Sequence, residues 1–278
     1  MSSELAADIT TLVEVRLRSI LATSARRPFV VGLCGAQGSG KTTVAQALQR
    51  RLEISGISAA VLSLDDLYLP REDRAALTEV HPLLSTRGVP GTHDVGLGES
   101  IIEACANDGS VALPRFSKAH DTRTARESWK VISTPVAVVL FEGWCVGARP
   151  QADSALVTSV NDLERLEDRA SIWRRWVNAQ LALNYQRLFS RINMLVLMAA
   201  PHFGVVARWR SEQEAALRER LAAAGLPSSQ AMRDSEIDRF VEHYQRLTEH
   251  ILSEMPQRAD LVIRLDERRR SVGLQSRS

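Results

Sequence analysis

Gly35-Ala36-Gln37-Gly38-Ser39-Gly40-Lys41-Thr42 carries the spacing G-x-x-x-x-G-K-[ST]. Glycines in this pattern let the backbone come close to an anion, and free N–H groups at the start of a following helix point at phosphate oxygens. Lys41 would neutralise the β- and γ-phosphates of a nucleoside triphosphate, and the Thr42 hydroxyl would reach Mg2+. Gly35, Ala36, Gln37, Gly38, Ser39, Gly40, Lys41, Thr42 and Thr43 are therefore the candidate phosphate contacts. The chain has three lysines (Lys41, Lys118 and Lys130), and one of them stands where a compact ammonium is wanted. Two carboxylates, Asp65 and Glu142, directly follow apolar runs. A carboxylate so placed can take the proton of an acceptor hydroxyl or hold Mg2+ through water. A helix cap or turn is the alternative reading for Asp65, and a plain strand exit for Glu142.

Elements must hold these groups. The apolar run Phe29–Cys34 before the glycine loop has the length and composition of a buried parallel strand. After the loop, Val44, Leu48 and Leu52 fall four apart and predict a helix with one apolar stripe. Strands are also expected at 59–64, 136–141, 194–198 and 261–265, with helices over 173–191, 205–223 and 235–252. Alternating strands and helices imply a parallel sheet covered on both faces, with ligands at the carboxyl ends of the strands.

The loop from Val80 to Asp94 contains two glycines and two prolines and gathers Arg87, His93 and Asp94. A turn with solvated charges and a ligand loop are both compatible with that composition. A second polar cluster, Arg115 to Arg123, is equally open. Arg208 and Arg210 start a helix whose arginines could close over a triphosphate as a lid. His243 and His250 read as helix-surface residues, and Arg268-Arg269-Arg270 as a solvated tail.

Composition narrows the classes. The 278 residues carry 35 Lys+Arg against 33 Asp+Glu, a net charge of +2 that gives no basic footprint for nucleic acid. Cys34, Cys105 and Cys145 are odd in number and lack C-x-x-C spacing, which argues against a disulfide framework and a zinc site. No apolar run approaches a membrane span, and a cytoplasmic location is expected. Reading guanine would need [NT]-K-x-D, but Ser117 and Trp129 precede Lys118 and Lys130, which disfavours a GTPase.

Five blocks occur together: G-A-Q-G-S-G-K-T, S-L-D-D-L-Y-L, H-P-L-L-S-T-R-G-V-P-G-T-H-D, V-V-L-F-E-G-W and A-P-H-F-G-V-V-A-R-W-R-S-E-Q-E. In this combination the chain resembles the D-glycerate 3-kinase family, within the group that holds uridine kinase, phosphoribulokinase and bacterial pantothenate kinase. The resemblance covers about Phe29 to Arg269. It implies ATP- and Mg2+-dependent phosphorylation of a small hydroxylated metabolite. By similarity Lys41, Asp65 and Arg208 are catalytic, and Arg210 joins the phosphate contacts. Asp66, Tyr68, Arg87, His93, Asp94 and Glu142 match the acceptor side, and Thr42, Asp65 and Glu142 the metal.

The expected fold is α/β of the P-loop NTPase type, with a five-stranded, mostly parallel sheet, helices on both faces and a helical lid. Residues 1–28 form an N-terminal helical extension, 29–270 the kinase domain and 271–278 a C-terminal tail. The acceptor loop spans 66–94 and the lid about 203–232. The partner is a small-molecule acceptor, D-glycerate first, rather than nucleic acid or membrane, and a homodimer is left open. Pantothenate, a nucleoside or a sugar derivative is the alternative acceptor. A nucleotide-hydrolysing or regulatory protein on the same fold is the alternative class.

Overall fold

The structure, a computed structural model, describes residues 2–118, 120–223, 225, 232 and 234–277. Helix α1 (Ser2–Leu21) leads into strand β1 (Phe29–Gly35), the glycine loop and helix α2 (Lys41–Ile54). Strand β2 (Ala59–Ser63) ends in a 3-10 turn, Leu64–Leu67, that carries Asp65. Helix α3 (Arg71–Leu77), the loop from Val80 to Asp94, helix α4 (Val95–Ala104) and strand β3 (Gly109–Leu113) follow. The short strands β4 (Phe116–Ser117) and β5 (Thr122–Arg123) pair as a hairpin, and β6 (Lys130–Thr134) pairs with β3. Next come β7 (Val138–Gly143), α5 (Asp162–Glu167), α6 (Ile172–Gln180), α7 (Gln186–Phe189) and β8 (Met194–Ala199). The last elements are α8 (Gly204–Ala223), α9 (Asp234–Glu254), β9 (Leu261–Leu265) and β10 (Ser271–Ser276).

Among the described residues the main sheet has the order β10-β9-β8-β1-β7-β2. The five strands expected from apolar runs are its parallel core, which bears out the α/β reading. β1 lies between β7 and β8 and is buried along its whole length, which is why its sequence is a continuous apolar run. Its side chains alternate: Val31 and Leu33 join the core cluster on one face, Val30 and Cys34 the cluster on the other. Register aligns the functional ends. Ser63 sits opposite Glu142, and Glu142 opposite Leu33, two residues before the glycine loop.

Several expectations change. Residues 271–276, read as tail, form β10 and add a sixth, antiparallel strand beside β9. The segment read as an extension packs into the domain, because Ile9, Val13 and Leu17 of α1 are buried in the same cluster as Leu48 and Leu52 of α2. Glu142 lies inside β7 rather than after it. His243 is buried, set edge-on to Trp173, and burial pushes its pKa down to about 4. Of the lid, residues 224 and 226–231 lie outside the described residues. Among the described residues no helix is long and apolar enough to cross a membrane.

A buried ion cluster ties α9 to the chain between β7 and α6. Glu164 is fully buried and takes both Arg246 Nε at 2.7 Å and Arg246 NH2 at 2.6 Å. Arg174, also buried, holds Asp168 at 2.9 Å. Removing one member of such a cluster strands the others without water. Glu164→Ala is expected to lower unfolding free energy by about 3–5 kcal/mol, as read from the midpoint of urea unfolding at constant slope.

Candidate active site

Gly35 closes β1, Ala36 to Ser39 form the loop, and Gly40 caps α2 with φ +91°. No side chain caps α2 and no acidic residue lies in its first turn, so its N–H groups and positive dipole end are left for an anion. Lys41, Thr42 and Thr43 make up that first turn. Gly38 is required by its surroundings: at φ +78°, an added Cβ would also lie 2.7 Å from Cβ of Trp209 on α8. Trp209 therefore presses the loop from the lid side.

Glu142 is buried, and its Oε1 accepts hydrogen bonds from Thr42 Oγ1 at 2.9 Å and Ser63 Oγ at 2.8 Å. Burial raises its pKa, against the pull of Lys41. Thr42 donates its hydroxyl hydrogen bond to this carboxylate, leaving oxygen lone pairs for a cation. The donor set fits Mg2+ carried in on phosphates, with Thr42 as ligand and Glu142 and Asp65 as carboxylate partners. Among the described residues no three His, Cys, Asp or Glu side chains gather as a cage.

Asp65 projects from the turn after β2 with its side chain one-third exposed. Tyr68 OH donates to its Oδ1 at 2.7 Å and Lys118 Nζ to its Oδ2 at 2.7 Å. Burial opposes ionisation, yet Lys118 and then Lys41 hold this carboxyl well below the usual carboxylate range. Asp65 is thus fully ionised at neutral pH.

The residues expected on the acceptor side divide into one that lines a cleft and others held within the fold. Arg87 lines a cleft of about 660 Å³ together with Lys118, Asp121, Arg210 and Phe240. His93 is buried under the Tyr68 ring, with centroids 4.7 Å apart, and burial pushes its pKa down to about 3. The Tyr185 hydroxyl accepts the Gly91 N–H at 2.9 Å and lies 2.6 Å from His93 Nδ1. That leaves the Tyr185 proton for Nδ1 and places the imidazole proton on Nε2, which has no partner among the described residues. Asp66 and Asp94, both expected on the acceptor, each accept a backbone N–H. Asp66 accepts the Phe116 N–H at 2.9 Å and so fixes the β4–β5 hairpin. Asp94 caps α4 through the Leu97 N–H at 3.0 Å and pairs with Arg123 at 3.1 Å. Trp144 Nε1 donates to Gly88 O at 2.8 Å, and Tyr244 OH to Arg87 O at 3.0 Å, so the F-E-G-W tryptophan anchors the loop from Val80 to Asp94. Gly88 must be glycine: at φ +127°, its Cβ would fall 2.0 Å from the Tyr244 oxygen.

The lid arginines are turned differently from expectation. Arg208 donates to Glu267 Oε2 at 3.0 Å and Glu267 O at 3.1 Å, not into the Asp65 cleft. Arg210 pairs with Glu214, lies 5.1 Å from the Phe240 ring centroid and lines the cleft on the acceptor side. Arg269, read as tail, is at the phosphate loop. Its Nε donates to Gly38 O at 2.6 Å, its guanidinium sits 5.1 Å from the Trp209 ring centroid, and it pairs with Glu212 at 2.6 Å. Lys118 is the other residue sequence reasoning left undecided, and its rarity as one of three lysines was the available signal. Cys34 is an inert packing thiol, its pKa pushed up to about 12 by burial.

A loop that leaves helix N–H groups, a lysine, a threonine and two carboxylates around one strand-end cleft is the arrangement of a nucleotide-dependent kinase. The model of the phosphoribulokinase/uridine kinase family matches residues 30–162. An uncharacterized kinase of Schizosaccharomyces pombe, mug58, is 34% identical over 234 residues, covering 78% of this chain and 79% of that protein. The chain belongs to the phosphoribulokinase/uridine kinase family. This kinase is also 29% identical over 232 residues to the chloroplastic D-glycerate 3-kinase of Arabidopsis thaliana, spanning 46% of that protein's length. A solved D-glycerate 3-kinase from Cryptococcus neoformans shares the kinase's fold, with a TM-score of 0.80 at 24% identity over 97% of this chain and 99% of that one.

Proposed function

We propose that the kinase transfers the γ-phosphoryl group of ATP to a hydroxyl of a small hydroxy acid, D-glycerate first. The observation that carries this reading is the shared cleft: Arg87 and Lys118 line one cavity, and Lys118 is paired with Asp65. A hydroxyl can meet the carboxylate while an acceptor carboxylate meets a guanidinium fork. The resemblance to a plant D-glycerate 3-kinase supports the choice of acceptor.

In the reaction the acceptor oxygen bonds to the γ-phosphorus and the bond to the bridging oxygen of ADP breaks. The acceptor proton passes to Asp65. Thr42, with Glu142 and Asp65 behind it, would hold Mg2+, which would supply charge neutralisation when bound. The chain's own part is positioning and electrostatics: helix N–H groups and Lys41 fix the phosphates, Tyr68 orients Asp65, and α8 covers the loop. Arg208 would have to leave Glu267 to act on the transferring group.

ADP formation with D-glycerate, other hydroxy acids, pantothenate, nucleosides and pentose phosphates, and with no acceptor, tests the reading. Turnover that depends on D-glycerate is the expected result. ADP formed with a different acceptor overturns the acceptor assignment, and rapid hydrolysis without any acceptor overturns the kinase reaction itself.

A further inference from the structure

Behind Asp121, which lines the cleft beside Arg87, lies a second arginine that the reaction above does not use. Arg74 of α3 is 1% exposed, and Arg87 of the acceptor loop is 24% exposed. Both address one carboxylate. Arg87 NH1 donates to Asp121 Oδ1 at 2.5 Å, while Arg74 NH2 donates to Asp121 Oδ2 and, at 3.3 Å, to the Asp121 carbonyl. Both guanidinium groups lie over the Phe116 ring, 6.0 and 5.7 Å from its centroid. Two positive charges thus meet one negative charge. The Nε and NH1 of Arg74 are buried and make no hydrogen bond among the described residues. Donors buried in that way are costly unless another acceptor reaches them.

Asp121 sits on the β4–β5 hairpin with φ +52°. The same hairpin carries Lys118, which lies on Asp65. One short segment therefore presents a cation to the candidate base and an anion to two arginines. Those are the partners a hydroxy acid needs, its hydroxyl on Asp65 and its carboxylate on a guanidinium pair.

We propose that Arg74 and Arg87 together form the carboxylate subsite of the acceptor, and that Asp121 occupies it as a stand-in which the acceptor displaces. This inference rests on the hydroxy-acid reading given above. Self-occupancy reduces apparent acceptor affinity by the fraction of molecules in which the subsite is free. Removing the Asp121 charge should therefore tighten acceptor binding, an effect that a merely structural ion pair would not produce.

The test is steady-state kinetics with D-glycerate and with its methyl ester, which lacks the carboxylate charge, for wild type, Asp121→Asn and Arg74→Lys. Asn tolerates a left-handed backbone, so Asp121→Asn keeps the turn. It is expected to lower KM for D-glycerate about three- to tenfold with no fall for the ester. Arg74→Lys, which loses the fork, should raise KM for D-glycerate about tenfold and leave the ester little changed. If Arg74→Lys does not fold, Asp121→Asn decides alone. An unchanged or higher D-glycerate KM in Asp121→Asn overturns this inference while the kinase reading stands. A wild-type enzyme that turns over no hydroxy acid overturns both.

Discussion

Asp65→Asn is expected to lower kcat by about 10²–10⁴-fold while ATP binding, followed by fluorescence or calorimetry, is kept. The substitution preserves shape and removes the proton acceptor, whereas the phosphate loop that binds ATP is built from β1 and α2. Wild-type turnover in this variant would remove Asp65 from the role of base. Lys118→Met provides the matching pH experiment. Asp65 now titrates far below neutrality because Lys118 and Lys41 outweigh its burial. Its loss of charge therefore comes only in strong acid. Without the Lys118 ammonium the Asp65 pKa rises, so the variant's activity should fall as pH drops through a range where wild type is still fully active. A profile that does not move on the acid side would mean that Lys118 does not set the charge of Asp65.

The donor half of this site was legible because it is local. Eight consecutive residues encode the phosphate loop, and strands buried on both faces announce themselves as unbroken apolar runs. Pairings between distant segments leave no such periodic trace. Lys118 meets Asp65 across 53 positions, and Arg269 meets Gly38 across 231. Nothing in Arg268-Arg269-Arg270 separates a solvated tail from a clamp on the loop until β9 and β10 fold into a hairpin that carries it there. β10 itself was hidden for a physical reason: it is a largely exposed edge strand rich in polar residues. Asp66 and Asp94 are a further case. Both are expected on the acceptor side, and in the fold one oxygen of each accepts a backbone N–H that positions the hairpin or α4. The α1 segment could have been read better, since Ile9, Val13 and Leu17 repeat every four residues as an apolar stripe.

Lys41→Ala is expected to cost about 10²–10³-fold in kcat/KM and, unlike Asp65→Asn, to weaken ATP binding as well. The reach of this ammonium extends past the phosphates. It lowers the pKa of both Asp65 and Glu142, and Glu142 is already raised by burial. Taking Lys41 away lets Glu142 move further up, so a falling pH protonates it sooner. A protonated Glu142 no longer supports Mg2+ through Thr42, whose hydroxyl now donates to it at 2.9 Å. When two pH values are compared, the penalty of the substitution should therefore be larger at the lower one, and the Mg2+ concentration needed for half-maximal ATP binding should rise more in the variant than in wild type as pH falls. Arginine should not restore the wild-type value, because its broad planar fork does not replace a compact ammonium at this loop. A penalty that is the same at both pH values would confine Lys41 to the phosphates and separate it from the Thr42–Glu142 pair.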